Sequence, residues 1–182
     1  MVFSISEVVL YRGSSPSGEP TTYGDYEFVL TPLDQGQVWT TKISGQEVQF
    51  QSLPTQVGYL EIDPVAIGLL KGAQQVVLTN DMNQTPENAG TIDYAKLELG
   101  LAIPKAIPAM LNPDERYKLP VINCSRATPQ SPVLIFNVTN DTSLRAYGSC
   151  IVLNAEFGDI LRVKDRIIYE YYGILRDGQV VD

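Results

Sequence analysis

The sequence predicts an all-β fold: a single-domain antiparallel β-sandwich or jelly-roll-like barrel with little helix. Three observations carry that prediction. Apolar and polar residues alternate with a period of two in runs rich in Val, Ile, Thr and Tyr, as on half-buried strands. Gly, Pro and Asn punctuate those runs at the spacing of turns. A chain of 182 residues also suffices to bury roughly 70% of its unfolded surface in one core.

Taken in order, the predicted strands begin with Ser4 to Tyr11, Asp25 to Thr31, and a hairpin centred on Ser44-Gly45. Val57 to Asp63, Gln74 to Asn80 and Thr91 to Leu99 follow. Leu119 to Cys124, Val133 to Thr139, Ser149 to Asn154 and Arg166 to Leu175 complete the set. The hairpin is the best-determined element, because a two-residue loop fixes its register. Counting outward pairs Ile43 with Gln46, Lys42 with Glu47, Thr41 with Val48, Thr40 with Gln49 and Trp39 with Phe50. One face then collects Trp39, Thr41, Ile43, Val48 and Phe50, and the other Thr40, Lys42, Glu47 and Gln49. Val133 to Phe136 and Cys150 to Leu153 are apolar on both parities, which predicts central strands covered on both faces. Asp177-Gly178 predicts a last turn that folds Gln179-Val180-Val181 back. A single short helix is predicted at Pro64 to Lys71, with Pro64 at the first position and Gly72 at the stop.

Residues 1–182 form one domain in this reading, with two segments of distinct character. A flexible arm spans 12–24, made of the small-residue stretch Arg12 to Pro20 and flanked by Tyr23 and Tyr26. A strap spans 101–111 and carries the tandem Ala102-Ile103-Pro104 and Ala106-Ile107-Pro108. Residues before proline avoid the α region, so the strap is expected to be extended. It is unusually apolar for a loop. It is read either as a docking surface for a partner or symmetry mate, or as a lid over one end of the sandwich. Leu101, Ile103, Pro104, Ile107, Pro108 and Met110, together with Tyr23 and Tyr26, are the candidate interface residues. On that reading, replacing Ile103 and Ile107 by Asp blocks assembly and leaves the fold intact.

Composition excludes several chemistries. The chain has no histidine, which removes Ser-His-Asp and Cys-His machinery, zincin sites and His-ligated haem together. A Gly-x-Ser-x-Gly elbow, a phosphate-binding Gly-rich loop with Lys, and a Cys-x-x-Cys pair are all absent from the sequence. The loop Asn80 to Asn88 offers Asp81, Asn83, Thr85 and Glu87 at alternate positions. An EF-hand would need Gly and Glu where Pro86 and Ile92 stand. Glu47, Asp93, Glu98, Glu156 and Glu170 are read as solvated strand-face carboxylates, with no pair singled out. Cys124 and Cys150 each sit in a strand-like run and read as small core hydrophobes; a bridge would need their Cα atoms within ~7 Å. No catalytic residue, cofactor or metal site is expected, and the chain reads as a non-enzyme.

The net charge of −8 argues against nucleic acid, whose phosphates demand Lys and Arg, and against anionic membrane surfaces. No apolar run approaches the ~18 residues of a membrane span. Glu7 interrupts the apolar N-terminal stretch, which also lacks a basic region, so no signal peptide is read there. The function class that fits is a structural protein of a large symmetric assembly. A virion capsid or capsid-decorating (cement) protein, made in the host cytoplasm and partnered with itself or other shell proteins, is the specific expectation. The rival is a non-catalytic β-sandwich binding module, such as a carbohydrate-binding domain using Trp39 and exposed Tyr.

Overall fold

A computed structural model describes residues 18–34, 36–80, 86–112 and 118–175. The predicted strand Ser4 to Tyr11, arm residues 12–17, loop residues 81–85 and the Asp177-Gly178 turn lie outside these residues. What is described corrects the fold class. The chain is a mixed α/β protein with two sheets and substantial helix, not an all-β sandwich.

The first sheet is an antiparallel meander of β1 (Thr21–Tyr23), β2 (Tyr26–Leu33), β3 (Gly36–Ile43) and β4 (Gln46–Phe50), in that spatial order. The β3–β4 register is the predicted one, from Ile43 opposite Gln46 out to Trp39 opposite Phe50. The turn closes because Ser44 and Gly45 both take positive φ, 52° and 83°, as a tight two-residue hairpin requires.

Two helices follow, α1 (Pro54–Val57) and α2 (Pro64–Gly72). The second matches the predicted helix. Asp63 caps it, accepting from the Val65 amide at 2.9 Å, and its other oxygen accepts from the Ala146 amide at 2.9 Å. One side chain thus ends a helix and pins it to the second sheet. The expected strand Val57 to Asp63 is replaced by the end of α1 and an isolated bridge at Ile62.

The second sheet comprises β5 (Val76–Asn80), β6 (Ala106–Pro108), β7 (Val133–Val138), β8 (Ser143–Tyr147) and β9 (Cys150–Ala155), in the order β6-β5-β7-β9-β8. The β5–β6, β5–β7 and β7–β9 pairs are parallel, and β8 runs antiparallel to β9. Between β5 and β6 lies α3 (Pro86–Ala102); after β9 comes α4 (Ile160–Tyr172). These helices stand where strands Thr91 to Leu99 and Arg166 to Leu175 were expected. Leu119 to Cys124 forms no strand, only a bridge at Val121 and the start of a 3-10 turn. Strands alternating with helices make a parallel sheet, and runs apolar on both parities are what parallel strands carry.

The core sits around α4. Every residue from Val163 to Glu170 is buried, so neighbours cover this helix on all sides. Phe50 of the meander stacks on Tyr169 at 4.3 Å between ring centroids, and Phe28 meets the same ring edge-on at 6.0 Å. Leu78, Leu134, Phe136, Ile151 and Leu153 of the second sheet join Ile167 and Ile168 in the same apolar cluster. The order of layers is therefore meander, helices, mixed sheet.

Candidate functional site

The strongest chemistry in the molecule is a charge cluster inside the helical layer. Lys164 and Asp165 of α4 are fully buried, and Glu98 of α3 is nearly so. The Lys164 ammonium lies 2.5 Å from Glu98 Oε2 and 2.5 Å from Asp165 Oδ1. Asp165 Oδ2 accepts from the Gln51 and Ser52 amides, each at 2.8 Å, where β4 gives way to α1. Tyr94 donates to Glu98 Oε1 at 2.7 Å, and Tyr169 donates to the Ser52 carbonyl at 2.7 Å. The cluster thereby ties α4 to α3 on one side and to the meander on the other.

One ammonium between two carboxylates leaves a net negative charge, which burial opposes. Burial raises the Asp165 carboxyl to about 6, against the pull of Lys164 and the Ser52 amide. Desolvation works against the Lys164 charge too, but the two carboxylates prevail and hold its pKa above the ordinary value. Burial, with the Glu98 contact, raises the Tyr94 phenol. Removing one partner of such a pair strands the others without compensation, at about 3–5 kcal/mol. A substrate cannot reach these atoms without displacing the core. The cluster holds layers together.

A second constellation is open to solvent. Leu97 and Leu101 project from α3 with 59% and 69% of their surface exposed. Beside them runs a groove of about 350 Å³ against β6, lined chiefly by Leu97, Gly100, Leu101, Ala106, Pro108 and Leu119. Gly100 lines this groove without a side chain, and a Cβ there would stand in open space. Among the described residues lining the groove, Asp93 and Lys96 carry charge. The Lys96 ammonium is turned inward to Asn80 Oδ1 at 2.7 Å and the Ala109 carbonyl at 3.3 Å. Its burial lowers its pKa. This lysine fastens the carboxyl end of β5 to α3.

The predicted interface residues are split by the fold. Leu101, Pro104 and Pro108 are exposed, Ile107 is half-buried, and Ile103 and Met110 are buried. The strap is not one extended segment: its first residues end α3, and Ala106–Pro108 form an edge strand. An Asp at Ile103 would therefore break the core rather than a contact. Tyr23 and Tyr26 pair across the β1–β2 turn and pack half-buried on the core. Trp39 is also half-buried against it. Of the carboxylates, Glu98 is internal and paired with Lys164, and Glu170 is buried and paired with Arg166 at 2.8 Å. Glu47 remains an exposed strand residue opposite Lys42.

The cysteines are corrected as well. Cys124 and Cys150 are joined in a disulfide, with Cα atoms 5.2 Å apart and a sequence separation of 26. Sequence reasoning missed Leu97, Lys164 and Asp165. The i, i+4 pair Leu97/Leu101 was legible only once the segment is read as helix. Among the described residues, no three His, Cys, Asp or Glu side chains converge where they could hold a metal ion, and no helix is long and apolar enough to cross a membrane. No family model, curated protein or solved structure matches the chain.

Proposed function

We propose that this chain is a non-catalytic structural subunit that works by repetition, docking on further copies of itself through the α3–β6 groove. The observation that carries the reading is the exposed Leu97/Leu101 ridge beside the α3–β6 groove. Ridge and groove belong to one patch, so a two-fold-related copy can seat each ridge in the other's groove, as an isologous contact demands. Charge favours the same face. Copies bearing a net −8 repel one another, and a patch whose two charged groups, Lys96 and Asp93, lie 3.8 Å apart and offset each other is a place where they approach at less cost. Contiguous exposed apolar surface is uncommon on proteins that work alone.

The setting we propose is a virion shell, as a capsid or capsid-decorating protein. Two features support it. The acidic balance suits a component that need not grip nucleic acid, and the Cys124–Cys150 disulfide suits a particle surface beyond the reducing cytoplasm. The non-catalytic part of the proposal rests on the titratable groups of the buried cluster, which are committed to one another.

The test is the double substitution Leu97→Asp and Leu101→Asp in the full chain. Both side chains are mostly exposed, so the circular dichroism spectrum and unfolding midpoint should stay close to native while the molar mass in solution falls to that of one chain. Undiminished assembly of this variant would overturn the assignment of the interface.

A further inference from the structure

The crossover between β6 and β7 is described over 118–132, and its one regular element is the 3-10 turn Cys124–Arg126. It lies on the sheet face opposite the helices. Val77 and Val133, which it covers, alternate along their strands with Val76, Leu78 and Leu134 of the main core. The crossover is anchored at two ends. The Pro120 carbonyl accepts from the Met110 amide and the Ile122 amide donates to the Met110 carbonyl, both at 2.9 Å. The Gln130 carbonyl accepts from the Gln74 and Gln75 amides at 2.9 and 3.1 Å.

Among the described residues, the hydrogen bonds between those anchors stay within the segment. Asn123 Oδ1 accepts from the Ser125 amide and hydroxyl, the Arg126 and Ala127 amides donate to the Asn123 and Cys124 carbonyls, and Thr128 bonds with Ser131. Its apolar hold is small. Ile122 and Ala127 pack on a satellite cluster whose buried members are Val77, Ala109 and Val133. Among the described residues, the bond that ties 123–129 to the sheet is the disulfide from Cys124 to Cys150 at the start of β9.

We propose that this disulfide is a redox latch on a lid. Oxidised, it holds residues 123–129 over the apolar face of β5 and β7; reduced, it lets that stretch lift and withdraws Ala127 from the cluster around Val77 and Val133. Opening takes two exchange steps with an external dithiol. One thiolate attacks a sulfur of the pair and displaces the other cysteine as thiolate, giving a mixed disulfide. The second thiol of the reductant then displaces the remaining cysteine and leaves as a cyclic disulfide. The protein gains two electrons and two protons as a pair of thiols, and the dithiol is oxidised by the same amount. Closing runs the exchange backwards with a low-molecular-weight disulfide as oxidant. The main core lies on the other face of the sheet, so the latch acts locally.

Amide exchange of the full chain, before and after dithiothreitol, tests the latch. Amides of residues 123–128 should exchange roughly tenfold faster or more on reduction, as expected for local opening. Those of β3, α3 and α4 should not change, and oxidised glutathione should restore the slow pattern. Unchanged exchange in 123–128 would overturn the proposal, because packing alone would then close the lid. Acceleration spreading through α4 and β3 would overturn it too, since the bond would be a global staple. Cys124→Ser should show the reduced pattern without reductant; should that variant not fold, the reduction of the native chain decides.

Discussion

At the scale of single residues, Asp165 concentrates the physics of this protein. It is fully buried, it receives two amides from the β4–α1 corner, and it shares Lys164 with Glu98. Nothing in the sequence marks it, because Lys164-Asp165-Arg166 has the composition of a solvated surface stretch. Its folded-state pKa of about 6 stands above the ordinary 3.8, so between those values the native state binds a proton that the unfolded chain does not. The contribution of this group to stability is therefore complete below about pH 4 and is lost as pH rises through about 6. Asp165→Asn has no such proton. Urea unfolding of both proteins should show native stability rising relative to the variant between pH 7 and 4.5, by on the order of 1–3 kcal/mol. A constant difference across that range would contradict the assigned shift.

At the scale of elements, legibility depended on whether interior positions were apolar. The hairpin register was legible to the residue because the Ser44-Gly45 turn fixes β3 against β4, but the faces are less cleanly sorted, since Thr40 of the expected polar face is buried. The apolar runs of β7 and β9 and the Pro64 helix were legible for similarly local reasons. Helices α3 and α4 were not. Ile92, Ala95, Leu99 and Ala102 do recur at helical spacing and are buried, but Lys96 and Glu98 stand inside with them and blur the stripe. In α4, Lys164, Asp165, Arg166 and Glu170 do the same beside Ile160, Val163 and Ile167. The hairpin supplies its own check. Gly45 has φ +83°, so Gly45→Val should lower stability by about 1–2 kcal/mol in thermal or urea unfolding, since a branched side chain is penalised there. An unchanged midpoint would mean that the turn tolerates another geometry.

At the scale of the whole molecule, the antiparallel sandwich gives way to a helical layer between a meander and a mostly parallel sheet. Two features of the sequence account for this. Strands apolar on both parities suit a sandwich centre and equally parallel strands covered by helices, and buried charge blurs the helical stripes of α3 and α4. The strap illustrates the consequence. Its proline-bound halves looked like one exposed segment, yet Ile103 and Met110 face inward, while the exposed apolar ridge passes to Leu97 and Leu101. Assembly through that ridge is the central claim, and the molar mass of the native chain tests it most directly. Light scattering on the eluting protein, over a hundredfold range of concentration, should give a multiple of the 20.1 kDa chain mass. A mass of one chain throughout that range would contradict it.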